Sequence, residues 1–176
     1  ETLIKAIPFK LNIAEINPGM GEPWVDNSIY ELFAKEHFNC PEFSVNHIPA
    51  IDKFKISGSY SSFANANYSV ETNSNRVGYL KIFEFAMIHN IPEYKKEITR
   101  GDQKIKIADK DTINAVILAV EKLNGAFSNW LLQKKELCEI LENKYHLLNN
   151  AIVKENFNVS LLNFDDITMV SPYEQI

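Results

Sequence analysis

The strongest constraint on folding in this 176-residue chain is a long helical repeat near its C-terminal end. Apolar residues recur close to every 3.6 positions, from Ile113 through Ile117, Val120, Phe127, Leu131, Cys138, Leu141, Tyr145, Leu148 and Ile152. That spacing is the mark of a helix with one buried stripe. A single straight helix of that extent would span about 60 Å at 1.5 Å per residue, long for one domain of this size. The pattern therefore predicts a reversal near Gln133 to Glu136 and two antiparallel helices, although no Gly or Pro marks the break. Asp109 or Asp111 supplies the start. Ile113, Val116, Ile117, Val120, Phe127, Leu131, Leu137, Leu141 and Leu148 are the expected core.

Upstream, shorter signals alternate. Residues 1 to 20 read as extended or irregular, ending in the turn Asn17-Pro18-Gly19. Gly21-Glu22-Pro23-Trp24-Val25 reads as a tight corner, with glycine free to take a positive φ and proline holding its own. Asp26 or Asn27 can cap the helix that follows over residues 27 to 38, whose apolar face is Ile29, Leu32 and Phe33. Phe43 to Ile48 and Ile51 to Ser57 alternate apolar and polar residues around Pro49-Ala50, as two antiparallel strands would. Residues 58 to 75, rich in Ser and Asn with Tyr60, Phe63 and Tyr68 interleaved, predict a long loop or weak edge strands. Gly78 to His89 is helical by period, with Asn90 and Pro92 ending it. A hairpin follows, Tyr94 to Thr99 and Lys104 to Ala108, around Arg100-Gly101-Asp102. Val159, Leu161 and Phe164 suggest a final strand. The expected fold is α+β: one domain over residues 1–176, with small antiparallel strand pairs packed on several helices and a long C-terminal helical pair.

Composition narrows the functional classes. Hydrophobic residues make up 45% and charged residues 23%, the proportions of a globular protein rather than a disordered tail. No apolar run approaches a membrane span and no signal peptide is visible, so no membrane partner is expected. Cys40 and Cys138 stand far apart and read as reduced thiols of a cytoplasmic protein. The first residue is Glu1 and the last Ile176, which suggests a piece excised from a larger multidomain protein.

Motifs for chemistry are missing. There is no Gly-x-x-x-x-Gly-Lys-Ser/Thr loop for a nucleotide and no strand-Gly-x-Gly-helix unit for a dinucleotide or S-adenosylmethionine. His37 and Cys40 have a ligand-like spacing, but tetrahedral zinc needs four ligands. His37 is expected at a helix end, where partial protonation is favoured. Cys138 and His146 lie about 12 Å apart along a helix, too far to form a nucleophile pair. Asp165-Asp166 has no matching carboxylate cluster nearby. No catalytic residue, metal or cofactor is expected within the chain.

The net charge of -5 argues against nucleic-acid binding by the whole surface, but not by a local basic face. The second hairpin offers one. Lys95, Lys96, Arg100, Lys104 and Lys106 cluster there, and alternation puts Lys104 and Lys106 on the same side, where a β-ribbon could meet a phosphate backbone. The same lysines could instead be a solvated edge that keeps strands from pairing with other chains. The Ser/Asn/aromatic loop at 58 to 75, with Arg76 after it, could stack on exposed bases or pack its rings on its own domain.

A series of short motifs points to one family. Gly21-Glu22-x-Trp24-Val25 is followed by Tyr30 and Phe33, then Gly78-Tyr79-Leu80, His89-Asn90-Ile91-Pro92 and Phe127-Ser128-Asn129-Trp130-Leu131, with Tyr145 and Asn150 after them. In order and spacing this resembles the inter-module region of large bacterial mobile-element and phage proteins. Those proteins join an adenine-specific DNA methyltransferase to a Swi/Snf-type helicase. The similarity covers roughly Leu11 to Asn163; Asp26, His146 and Asn149 depart from the usual proline, asparagine and aromatic residue. The resemblance implies a non-catalytic accessory region that positions DNA or couples neighbouring modules, its partners being DNA and those modules. The methyltransferase's Asn/Asp-Pro-Pro-aromatic clamp and the helicase's phosphate loop are both absent, so the parent's chemistry would lie elsewhere. The alternative is a protein-interaction or architectural domain without DNA contact, which the net acidity favours.

Overall fold

A computed structural model describes residues 10–48, 53–100 and 103–150. Their architecture is α+β, with helices dominating and, among the described residues, three separate two-stranded antiparallel sheets.

Helix α2 (Asn27–His37) is the hub. Its Ile29, Tyr30, Phe33 and Ala34 are buried, one face at helical spacing. Phe33 packs against Phe38, Phe127 and Trp130 with ring centroids 5.4–5.6 Å apart, and Tyr30 lies 5.2 Å from Phe127. Helix α4 (Tyr79–Ile88) adds Ile82, Phe83 and Met87, all closed to solvent, and ends with His89 in the left-handed conformation. Strands β1 (Phe43–Ile48) and β2 (Lys53–Gly58) pair with Val45 opposite Ile56, and that shared face turns toward α2 and α4. Ile51 lies outside the described residues.

The long helical repeat does break where its length demanded. Helix α5 (Lys110–Leu132) starts on Asp109, whose carboxylate accepts the Thr112 N–H, and α6 (Lys135–Asn150) follows after Gln133 and Lys134. The turn needs no glycine. The Gln133 and Lys134 amides donate to Trp130 and Leu131 carbonyls, tightening the last turn, and the Cys138 thiol donates to Leu131 O at 3.1 Å. Along α5, Phe127 and Trp130 follow Tyr30 and Phe33 in the same direction as α2. Helix α6 then returns: Lys134 meets Glu36 at the end of α2, and Lys144 meets Asp26 at its start, each at 2.7 Å.

Several expectations need correction. Val116, Phe127, Leu131 and Leu141 are core, but Ile113, Val120 and Leu137 are half-buried, and Ile117 and Leu148 are exposed. The stripe that α5 buries runs Thr112, Val116, Leu123, Phe127, Leu131; Ile117 sits one position to its side. Residues 13–16 are neither extended nor irregular. Asn12 and Glu15 form a reciprocal capping box that opens a short helix α1 (Ile13–Ile16), and Glu142 of α6 accepts the Ile13 N–H at 2.7 Å. Residues 58–75 are no long loop either, and of the weak strands expected there only the short β3 forms, behind a helix. Ser61 caps a helix α3 (Ser62–Tyr68) while donating its own hydroxyl to Phe38 O at 2.7 Å, and β3 (Val70–Glu71) pairs with β4 (Arg76–Val77) beyond it. Weak helix formers hold this shape because Ala64 and Tyr68 are buried against the body. The suggested strand around Val159, Leu161 and Phe164 lies outside the described residues.

A β-ribbon at the candidate functional site

Strands β5 (Lys95–Arg100) and β6 (Gln103–Ala108) form the third sheet, with Lys95 opposite Ala108 and Arg100 opposite Gln103. Every residue in both strands is exposed except half-buried Lys96. The strands pack on each other rather than on the helices, so the ribbon stands off the body. Its base is tied down. The Asp109 N–H donates to Tyr94 O at 2.7 Å, and Asn75 Nδ2 donates to Asp109 Oδ2 at 2.8 Å and reaches Lys95 O at 3.5 Å.

Cross-strand partners share a face, so the register divides the ribbon's chemistry. One face carries Lys95, Lys104 and Lys106 with Glu97 and Thr99. The other carries Ile98, Ile105 and Ile107 with Lys96, Arg100 and Gln103. The five cations of the hairpin expected from sequence to form a basic patch are therefore not all on one face. Lys96 is already engaged: its ammonium donates to Asp111 Oδ2 at 3.0 Å and lies 3.7 Å from Asp109 Oδ1, contacts that raise its pKa. Lys106 faces Glu97 at 3.7 Å in an exposed cross-strand pair that water readily replaces. Arg76 sits on β4, beside Asn75 and hence near the ribbon's base. Between Lys95 and Ala108 the chain carries five cationic and two acidic side chains, a local charge of +3 in a protein of net charge -5.

Asp109 is the buried linchpin. Its carboxylate accepts from the Thr112 hydroxyl, at 2.6 Å, and from Asn75, and these bonds hold its pKa below the ordinary value despite burial. Its contribution to stability is therefore complete above about pH 4, where an unfolded aspartate is ionised, and is lost as pH falls through the lower folded value. Asp109→Asn should lose less stability than the wild type when unfolding is followed from about pH 6 to pH 2. Equal pH dependence in the two proteins would refute that role.

The signature residues serve packing. Gly21 holds φ +81°, and a Cβ there would stand 2.0 Å from Met87 O, so only glycine lets the corner touch the end of α4. The buried Tyr30 hydroxyl accepts the Glu22 N–H at 3.0 Å and donates to Gly19 O at 3.3 Å. Burial raises its pKa strongly. Trp24 meets Tyr145 edge to face at 5.4 Å. Phe33, Phe127 and Trp130 belong to the aromatic core, and Trp130 Nε1 donates to Glu36 Oε2 at 2.8 Å. Gly78 is the N-cap of α4, in extended backbone that needs no glycine. Asp26 takes the N-cap position of α2, but its side chain makes no capping bond and pairs with Lys144 instead.

The remaining polar candidates are dispersed. His37 and Cys40 turn to different partners, the Tyr68 hydroxyl at 2.8 Å and the Ser59 hydroxyl and carbonyl at 3.2 Å. His37 does lie at a helix end, but burial among Phe33, Phe38, Phe63 and Tyr68 lowers its pKa, opposing the protonation expected there. Cys138 bonds Leu131 O whereas His146 bonds Leu11 O at 2.9 Å. Among the described residues no three His, Cys, Asp or Glu side chains converge on a metal position, and no helix is long and apolar enough to cross a membrane. Asp165-Asp166 lies outside the described residues. A cleft of about 440 Å³ opens between the Gly21 corner, the end of α4 and the His47–Phe54 pair of the first hairpin.

Core and ribbon together define a small α+β domain with a fixed aromatic scaffold and a protruding cationic arm. The chain belongs to the DUF8437 family, a domain of unknown function, whose pattern matches residues 19–151 and so takes in the corner, the ribbon and both long helices. No curated protein and no solved structure matches the chain.

Proposed function

We propose that this domain is a non-catalytic accessory region of a DNA-processing protein, of the methyltransferase-helicase kind its motifs resemble. In this reading the lysine face of the β5–β6 ribbon lies on the phosphate backbone, while the aromatic body sets the arm's direction toward neighbouring modules. One observation carries it: a ribbon of charge +3 stands off a chain whose net charge is -5, so a polyanion is attracted to the arm and repelled elsewhere. Methyl transfer and ATP-driven translocation would belong to sequence outside this chain, and no cofactor is assigned to it. The role fits the cytoplasm, in keeping with two buried cysteines that form no disulfide.

Duplex and single-stranded DNA titrated across a salt series test the reading. Three lysines on one face should give a slope of log K against log salt near -3 for duplex, about -0.9 per phosphate. Lys104→Glu/Lys106→Glu should flatten it by about two and weaken binding at least roughly tenfold. No binding at low salt sinks DNA contact. The isoleucine face then favours a second reading, an architectural domain whose ribbon docks on another protein through Ile98, Ile105 and Ile107.

A further inference from the structure

The β5–β6 ribbon leaves its apolar face uncovered. Ile98 pairs directly with Ile105, and Ile107 lies two residues along the same strand, so the three side chains share a face, each more than a third exposed. A two-stranded ribbon with nothing on that face is only marginally stable in water. The register aims the face. Lys96 sits on it beside Ile107, and its ammonium reaches Asp111 in the first turn of α5 at 3.0 Å. Leu118, about two turns further along the same stripe of α5, is 64% exposed. Ribbon and helix thus form an elbow with an apolar inner side. Arg100, which makes no ion pair among the described residues, stands on that side at the ribbon's far end.

A second uncovered stripe lies on α6. Glu136, Ile140, Asn143 and Leu147 recur at helical spacing and are all exposed, Ile140 by 56% and Leu147 by 74%. Glu136 and Glu139 make no ion pair among the described residues. Within one chain the ribbon packs on itself and leaves this stripe open. The two surfaces match in order and length. Leu147, Ile140 and Glu136 follow one another at about 10 Å and 6 Å along the helix, and Ile107, the Ile98–Ile105 pair and Arg100 at about 7 Å each along the ribbon.

We propose that α6 of a second copy of this chain seats in the elbow, with Leu147 and Ile140 on the isoleucines and Glu136 at Arg100. Charge complementarity selects the occupant: α6 brings unpaired carboxylates to a ribbon of charge +3, and its two exposed aliphatic side chains supply what the isoleucines lack. A nucleic acid has no aliphatic surface with which to cover them. Each copy carries both surfaces, so reciprocal exchange closes a two-fold dimer. The lysine face lies on the opposite side of the ribbon and stays free, so the inference does not need DNA contact. It rests on the second reading above, that the isoleucine face is a docking surface, and names the partner.

Sedimentation equilibrium from about 1 µM to about 1 mM tests it. The chain should pass from monomer to dimer with a Kd on the order of 100 µM, as suits a small interface. Ile140→Gln/Leu147→Gln changes only exposed helix positions, so it should keep the wild-type melting temperature and weaken the dimer at least about tenfold. Arg100→Glu should weaken it about tenfold, since each change acts twice in a two-fold dimer, and adding Glu136→Arg to the same chain should restore most of the loss. Ile105→Gln should weaken it as well. A dimer lost in Ile105→Gln but intact in Ile140→Gln/Leu147→Gln overturns α6 as the seat and leaves the isoleucine face as a docking surface. A dimer indifferent to both overturns both. A monomer throughout overturns the second copy as the occupant and leaves the docking reading to a different protein.

Discussion

Replacing Gly21 with alanine should cost about 3 kcal/mol or more, among the largest effects expected from adding a single carbon to this protein. Two penalties combine. Gly21 holds φ +81°, a conformation an L-residue adopts only with strain. The added Cβ would also stand 2.0 Å from the carbonyl oxygen of Met87, a backbone atom that cannot rotate aside. Relief requires lifting the corner off α4 or unwinding the end of that helix, and either would disturb Met20 and Met87, both closed to solvent. Gly19→Ala is the matched control: its added Cβ would come no closer than 3.9 Å to Glu22 Oε1, so urea unfolding should find it near wild type. Gly58→Ala should fall between them, since the clash there is with the Phe43 ring at 2.7 Å, and a ring can shift. A Gly21→Ala protein within 1 kcal/mol of wild type would mean the corner does not press on α4.

Phe33→Ala should lower stability by about 4 kcal/mol, on the order of 10 °C in melting temperature for a chain of this size. Phe33 is fully buried and its ring touches Phe38, Phe127 and Trp130, contributed by the residue after α2 and by α5. Truncation therefore leaves a cavity bounded by large rings that cannot all move inward. Tyr60→Ala removes a comparable amount of side chain from an exposed site and should shift stability by less than about 0.5 kcal/mol. Thermal unfolding of the two variants side by side reads the contrast, and a Phe33→Ala loss below about 1.5 kcal/mol would contradict the described core.

Which elements were legible follows from where their information lies. Ile29 and Phe33 announced α2 because both lie on its buried face, and Phe43 and Val45 announced β1 for the same reason. The reversal after Leu132 was legible from length, since one helix of about 60 Å is long for a domain of this size. Helix α3 was hidden because its Ser and Asn residues favour turns as readily as helices, and what holds it is Ser61 bonded to Phe38 O, 23 residues away. Helix α1 carried a readable sign, the Asn12 to Glu15 capping box, within a segment too short to show a period.

The candidate site divides the same way. Alternation within β6 determines that Lys104 and Lys106 share a face, and strand geometry ensures it whatever surrounds the hairpin. Sequence alone could not place Lys95 with them and Arg100 opposite, because that depends on pairing register. Nor could it tell that Lys96 is engaged by Asp111 and Asp109, or that Tyr60 stands in solvent while Tyr68 is buried. Local chain geometry decides which side chains point together. Which face is covered is decided by segments far apart in sequence, and only the packed chain brings those together.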